Sequence, residues 1–87
     1  MIVLKWQVPV DDNPHPIGRG SAVLVDCQRP DVVTVWTLEP SMSYTADRQV
    51  QVFGTGQSIP IGSEHIGSVM TFGGALVWHV FTFKGEP

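Results

Sequence analysis

Residues 66–83 constrain this chain more than any other stretch, because two strand-like runs flank the pair Gly73 and Gly74. Two glycines between β-rich runs suit a tight hairpin turn, since both central positions need positive φ. With those two residues as the loop, the register follows by counting. Phe72 faces Ala75, Met70 faces Val77, Ser68 faces His79 and Ile66 faces Phe81. On the opposite face Thr71 meets Leu76, Val69 meets Trp78 and Gly67 meets Val80, leaving a gap beside Gly67 over which the Trp78 indole can lean. The second run is apolar on both alternating faces, and a strand of that kind is normally covered on both sides.

The rest of the chain reads the same way. Short β-rich runs are separated by Pro, Gly, Asp and Ser, and no segment holds a 3.6-residue period. Residues 2–8 put Ile2, Leu4, Trp6 and Val8 on one face and Lys5 and Gln7 on the other. Residues 9–20 form a loop rich in Pro, Gly and Asp. Residues 21–28 set Val23 and Val25 opposite Ala22 and Leu24, and residues 32–39, apolar on both faces apart from threonines, form an interior strand. A connector over 40–47 leads to residues 48–53, with Val50 and Val52 inward and Gln49 and Gln51 outward. A second long loop, 54–63, precedes the hairpin. A short helical turn has room in 40–47 or 57–65. The expectation is one all-β domain over residues 1–87, with about six mostly antiparallel strands in a small sandwich or barrel. Nothing supplies the helical crossover that neighbouring parallel strands require.

Composition narrows the function. A chain of 87 residues buries only roughly 60–65% of its unfolded surface, so its stability gains from partner subunits. Charged residues make up 15% against about 25% in an average soluble domain, in keeping with part of the surface being an interface. The net charge of −3 and five scattered Lys and Arg argue against nucleic acid as a partner. The single cysteine, Cys27, cannot form an internal disulfide and fits a reducing compartment. The first residues lack the basic and apolar regions of a signal peptide, and no apolar run is long enough to span a membrane as a helix.

Each candidate for chemistry has a plainer explanation. Ser68 and His79 oppose each other as a nucleophile and base would, yet no carboxylate stands in local register to orient the ring. Asp11, Asp12 and His15, with His65 or His79 more distant, lack any standard metal-ligand spacing, so no metal or cofactor is expected. The sequence Gly54-Thr55-Gly56 is a fragment of a phosphate-binding loop that reads more simply as a turn. Cys27 near Arg29 and Asp26 is a small packed hydrophobe sooner than a reactive thiol. Trp6, Trp36 and Trp78 are core and interface anchors sooner than a base-stacking platform.

No constellation assembles nucleophile, base and orienter, so the chain is not expected to be an enzyme. It reads as a binding module that self-associates through its last hairpin, by Met70, Phe72, Val77, Trp78, His79 and Phe81. Loops 9–20 and 54–65 present the residues for a partner, namely Asp11, Asp12, Arg19, Thr55 and His65. An alternative is a sponge for a small signalling ligand in pockets between subunits, for which only Lys5, Arg19, Arg29, Arg48 and Lys84 can supply positive charge.

The strand with Trp6 ends in Val8-Pro9-Val10-Asp11. Gly20-Ser21-Ala22, Trp36, Val52-Phe53-Gly54-Thr55-Gly56, Ile66-Gly67 and the run Gly73-Gly74-Ala75-Leu76-Val77-Trp78-His79-Val80-Phe81 follow in order. This pattern resembles a family of small uncharacterised proteins encoded by bacteriophages of actinobacteria, mycobacteriophages among them. It extends over nearly the whole chain, with Gln57-Ser58 departing from it. The resemblance carries no catalytic residue. It implies a phage accessory protein made in the host bacterial cytoplasm that acts on a host protein or host defence component, with a minor structural role in the virion as a further alternative.

Overall fold

The computed structural model describes residues 1–40 and 48–84. Seven strands, β1 (Ile2–Pro9), β2 (His15–Ile17), β3 (Ser21–Arg29), β4 (Val32–Glu39), β5 (Arg48–Gly54), β6 (Glu64–Thr71) and β7 (Leu76–Lys84), form two antiparallel sheets. One has the order β1-β4-β3 and the other β2-β5-β7-β6. The sheets pack as a small sandwich and do not close into a barrel. The two runs read as interior strands, β4 and β7, each lie between two neighbours in their sheet.

Alternation builds the core. Val8, Val33 and Val35 from one sheet meet Val50, Val52, Val69 and Val80 from the other, with Ile17 closing one side. All eight are fully or nearly fully buried, and each contributes about 1.5–3 kcal/mol by leaving water. Leu4, Trp6 and Val8 share the inner face of β1, as their spacing requires. In β5 the inward pair is Val50 and Val52.

Three details depart from the sequence reading. First, β2 lies inside the loop expected over residues 9–20, where three residues pair with β5 between Pro14 and a Gly-rich strap. Proline at an edge strand keeps its missing N–H away from the ladder, so so short a strand survives there. Second, a register shift between Ala22 and Leu24 breaks the alternation of β3, so that Val23 and Leu24 are both exposed while Val25 packs against the core. Third, a bulge between His65 and Gly67 places His65, not Ile66, opposite Phe81. The gap at Gly67 is filled by Val25 from the facing sheet, not by Trp78. A Cβ there would lie 2.9 Å from Val25 Cβ and Cγ2. The connector over 40–47 falls almost wholly outside the described residues, and residues 57–65 contain turns and a strand start with no helix.

From Gly67 onward the hairpin register is the one that the two glycines dictate. Ser68 pairs with His79, Val69 with Trp78, Met70 with Val77 and Thr71 with Leu76. At the turn, Gly73 has φ 65° and Gly74 φ 94°, and the Ala75 N–H donates to the Phe72 carbonyl at 3.2 Å. Positive φ at both central positions gives the turn the right-handed twist that the flanking strands share.

Candidate functional site

The outer face of the four-stranded sheet carries a chain of four polar side chains. Thr55 Oγ1 lies 2.9 Å from His79 Nε2, His79 Nδ1 lies 3.0 Å from Ser68 Oγ, and Ser68 Oγ lies 2.9 Å from His65 Nε2. Each member is placed by the sheet. Pairing of β5 with β7 sets Phe53 beside His79, so Thr55, two residues on, reaches the imidazole. Pairing of β6 with β7 sets Ser68 beside the same ring, and the bulge turns His65 to the same side.

Ser68 has one proton between two imidazoles, so at least one ring must donate to its oxygen. The chain therefore runs in either direction. Ser68 donates to His79 while His79 donates to Thr55 and His65 donates to Ser68, or every bond reverses. In both cases the group facing the far nitrogen of His79 is a hydroxyl. A hydroxyl orients the ring but cannot offset the positive charge that a working base acquires. The chain is thus a poor nucleophile system and a good adjustable surface.

Aromatic rings frame it. The Phe81 ring meets Phe53 edge-on at 5.9 Å and His65 at 5.1 Å. Phe53 is buried although it lies outside the core cluster, so the chain itself covers this part of the outer face. Cover runs out toward the turn. Met70 is 68% exposed, Phe72 66% and Leu76 42%, which makes the end of the hairpin the bare apolar region of this sheet.

The residues expected at an interface thus divide. Met70, Phe72, Val77, His79 and Phe81 lie on the outer side or at the turn, while Trp78 packs against the core. The five residues expected to meet a partner also divide. Asp11, Asp12 and Thr55 gather at one end of the sandwich, where Gln57 Nε2 donates to Asp12 Oδ1 at 3.3 Å and links the two long loops. Arg19 stands beside Arg48 at the other end, a strand length of roughly 20 Å away. His65 joins Thr55 only through Ser68 and His79.

Asp11 receives His15 Nε2 at 2.8 Å and the Asn13 N–H at 3.1 Å. The bond to His15 holds its carboxyl below the ordinary carboxylate value. These bonds are the turn chemistry expected of an Asx loop. Among the described residues, no three His, Cys, Asp or Glu side chains group as a metal site. The Cys27 thiol donates to the Arg29 carbonyl at 2.8 Å, and burial, with Asp26 adding to it, pushes its pKa up, which favours the unreactive thiol form.

A second hydrogen-bonded chain escaped the sequence reading. Glu39, 1% exposed, accepts the Gly20 N–H at 3.0 Å and the Thr37 hydroxyl at 2.6 Å, and Thr37 Oγ1 in turn accepts Trp6 Nε1 at 2.8 Å. Gly18 and Gly20 wrap the carboxylate so closely that a Cβ at either would lie 2.6 Å from Glu39 Oε2. The spacing Gly-x-Gly was visible in the sequence, but nothing there pairs it with an acid 19 residues away.

Two packed antiparallel sheets with an apolar hairpin tip and a surface His–Ser–His chain define a small β-sandwich domain. The chain belongs to the family described as Domain of unknown function (DUF7352), which matches residues 1–86. No curated protein and no solved structure matches it.

Proposed function

We propose that this DUF7352 chain is a non-enzymatic phage accessory protein that binds a host protein or host defence component as a homo-oligomer. The phage context and the cytoplasmic setting rest on the resemblance described above. The oligomer rests on one observation, the exposure of Met70 and Phe72 at the end of an unguarded edge strand. Edge strands invite pairing unless charge, proline or irregularity blunts them. β1 carries Lys5 and Pro9, β2 is three residues long with Pro16 at its centre, and β3 has two register breaks. β6 has its bulge and Glu64 at the start, and from Gly67 to Thr71 it holds neither charge nor proline.

The occupant of that edge is a second copy of the chain, with Met70 and Phe72 of each molecule against the other. Association there leaves the linked loops around Asp11, Asp12 and Thr55 facing outward for the partner. Size-exclusion chromatography with light scattering tests the reading. The wild type is expected at twice the monomer mass or more, and Met70→Glu with Phe72→Asp at the monomer mass. A wild type that stays monomeric at high concentration ends the oligomer. Unchanged partner capture by Arg19→Ala and Thr55→Ala ends the assignment of those residues to binding.

A further inference from the structure

The ends of β5 and β7 and the strap before β3 enclose a cleft between the sheets at the end of the sandwich away from the hairpin turn. Its inner part holds about 350 Å³ and its wider mouth about 660 Å³. Both lie in the range of small-ligand pockets. The mouth is lined by Arg19, Arg48 and Lys84, with Thr82 and Phe83 on its wall. Three of the five Lys and Arg of a chain with net charge −3 therefore line one opening, where Glu64 is the carboxylate among the described lining residues.

The geometry points to a binding site for a phosphate ester of nucleotide size, held by Arg48 and Lys84 at the mouth with its ring system against Phe83. The Arg48 guanidinium is already positioned by the Thr82 hydroxyl, which fixes a fork suited to phosphate oxygens. Its other partner, Glu64, is weakly placed at 3.4 Å, and that side chain is 71% exposed. A phosphate group would replace Glu64 on Arg48, and Glu64 would return to water at little cost. The anion stops at the mouth because the inner part is backed by the buried Glu39 carboxylate behind Gly18 and Gly20. This site lies within one chain and does not depend on the self-association proposed above.

Isothermal titration of the full chain with AMP tests it, with adenosine and inorganic phosphate as separate arms. AMP is expected to bind with one site per chain and to weaken as salt rises. Lys84→Ala is expected to loosen AMP about threefold and Arg48→Met about tenfold or more. Glu64→Gln, which removes the competing carboxylate from an exposed position, is expected to tighten AMP several-fold. Adenosine alone should bind far more weakly than AMP. Binding of inorganic phosphate with the same response to Glu64→Gln supports the phosphate contact. Absence of AMP binding at millimolar concentration, equal binding of adenosine, or no gain from Glu64→Gln overturns the proposal. Because Arg48 also braces Thr82, the Lys84 and Glu64 variants decide the matter if Arg48→Met fails to fold.

Discussion

Two side-chain hydrogen-bond chains run through this small sandwich, and they differ in where they sit. Trp6, Thr37, Glu39 and the Gly20 amide form one, sealed behind a glycine strap. Thr55, His79, Ser68 and His65 form the other, on the outer face of the four-stranded sheet. In the first, the carboxylate that gathers the donors is 1% exposed, so solvent cannot readily stand in for it. In the second, two imidazoles can exchange donor and acceptor roles, and water stands ready for any vacated position. The same kind of bond is therefore a structural clamp in one region and an adjustable surface in the other.

The largest effect should come from cutting the sealed chain at its acceptor. Glu39→Ala leaves the Gly20 amide and the Thr37 hydroxyl without their carboxylate and opens a cavity, at a cost on the order of 3 kcal/mol. Urea denaturation measures it. A loss no larger than that of Ser68→Ala would erase the contrast between the two chains.

The strap should follow. In Gly20→Ala the new Cβ would lie 2.0 Å from the Leu38 carbonyl oxygen as well as against Glu39, so the backbone must move. A loss of about 2 kcal/mol is expected, since added bulk in a closed site strains its neighbours. Wild-type stability in this variant would mean that the strap yields freely and that the carboxylate is not gripped.

The exposed chain should be much less costly to break. Ser68→Ala removes the hydroxyl that joins His65 to His79, and water can satisfy both rings, so the change in stability should be about 0.5 kcal/mol or less. The visible effect is expected in the imidazole proton resonances of His65 and His79, which should both move once the hydroxyl that links them is gone. A loss of several kcal/mol would make this chain a second clamp.

The sequence carried one of these chains better than the other, for a physical reason. Pairing across a hairpin is fixed by counting outward from the turn, so Gly73 and Gly74 alone placed Ser68 opposite His79. The partners at either end depend on longer-range facts. Thr55 reaches His79 only because β5 pairs with β7, and His65 replaces Ile66 opposite Phe81 only because of a bulge. The sealed chain spans β1, β4 and the strap, and no local pattern marks Glu39 as an interior residue. Strand limits were legible where alternation was clean, as in β1, and failed at β2, where two prolines mask three paired residues. The outer hairpin face was read as wholly in need of a partner, yet Phe53 and Phe81 show the chain covering part of it, and only the end near the turn stays bare.

The smallest effect concerns a third bond, at the far surface end of the scale. Asp11 is exposed and is held below the ordinary carboxylate value of 3.8 chiefly by His15. A carboxyl lowered in the fold adds stability that is present above its ordinary value and lost as pH falls through the lowered one. His15→Ala should therefore raise the Asp11 midpoint toward the ordinary value, as read by carboxyl carbon NMR, without a resolvable change in stability at neutral pH. Exposure decides this outcome, since solvent screens the pair and can replace either partner. An unmoved Asp11 midpoint would show that the Asn13 amide and not the imidazole sets it, which would leave His15 without an electrostatic role in the loop that meets Gln57.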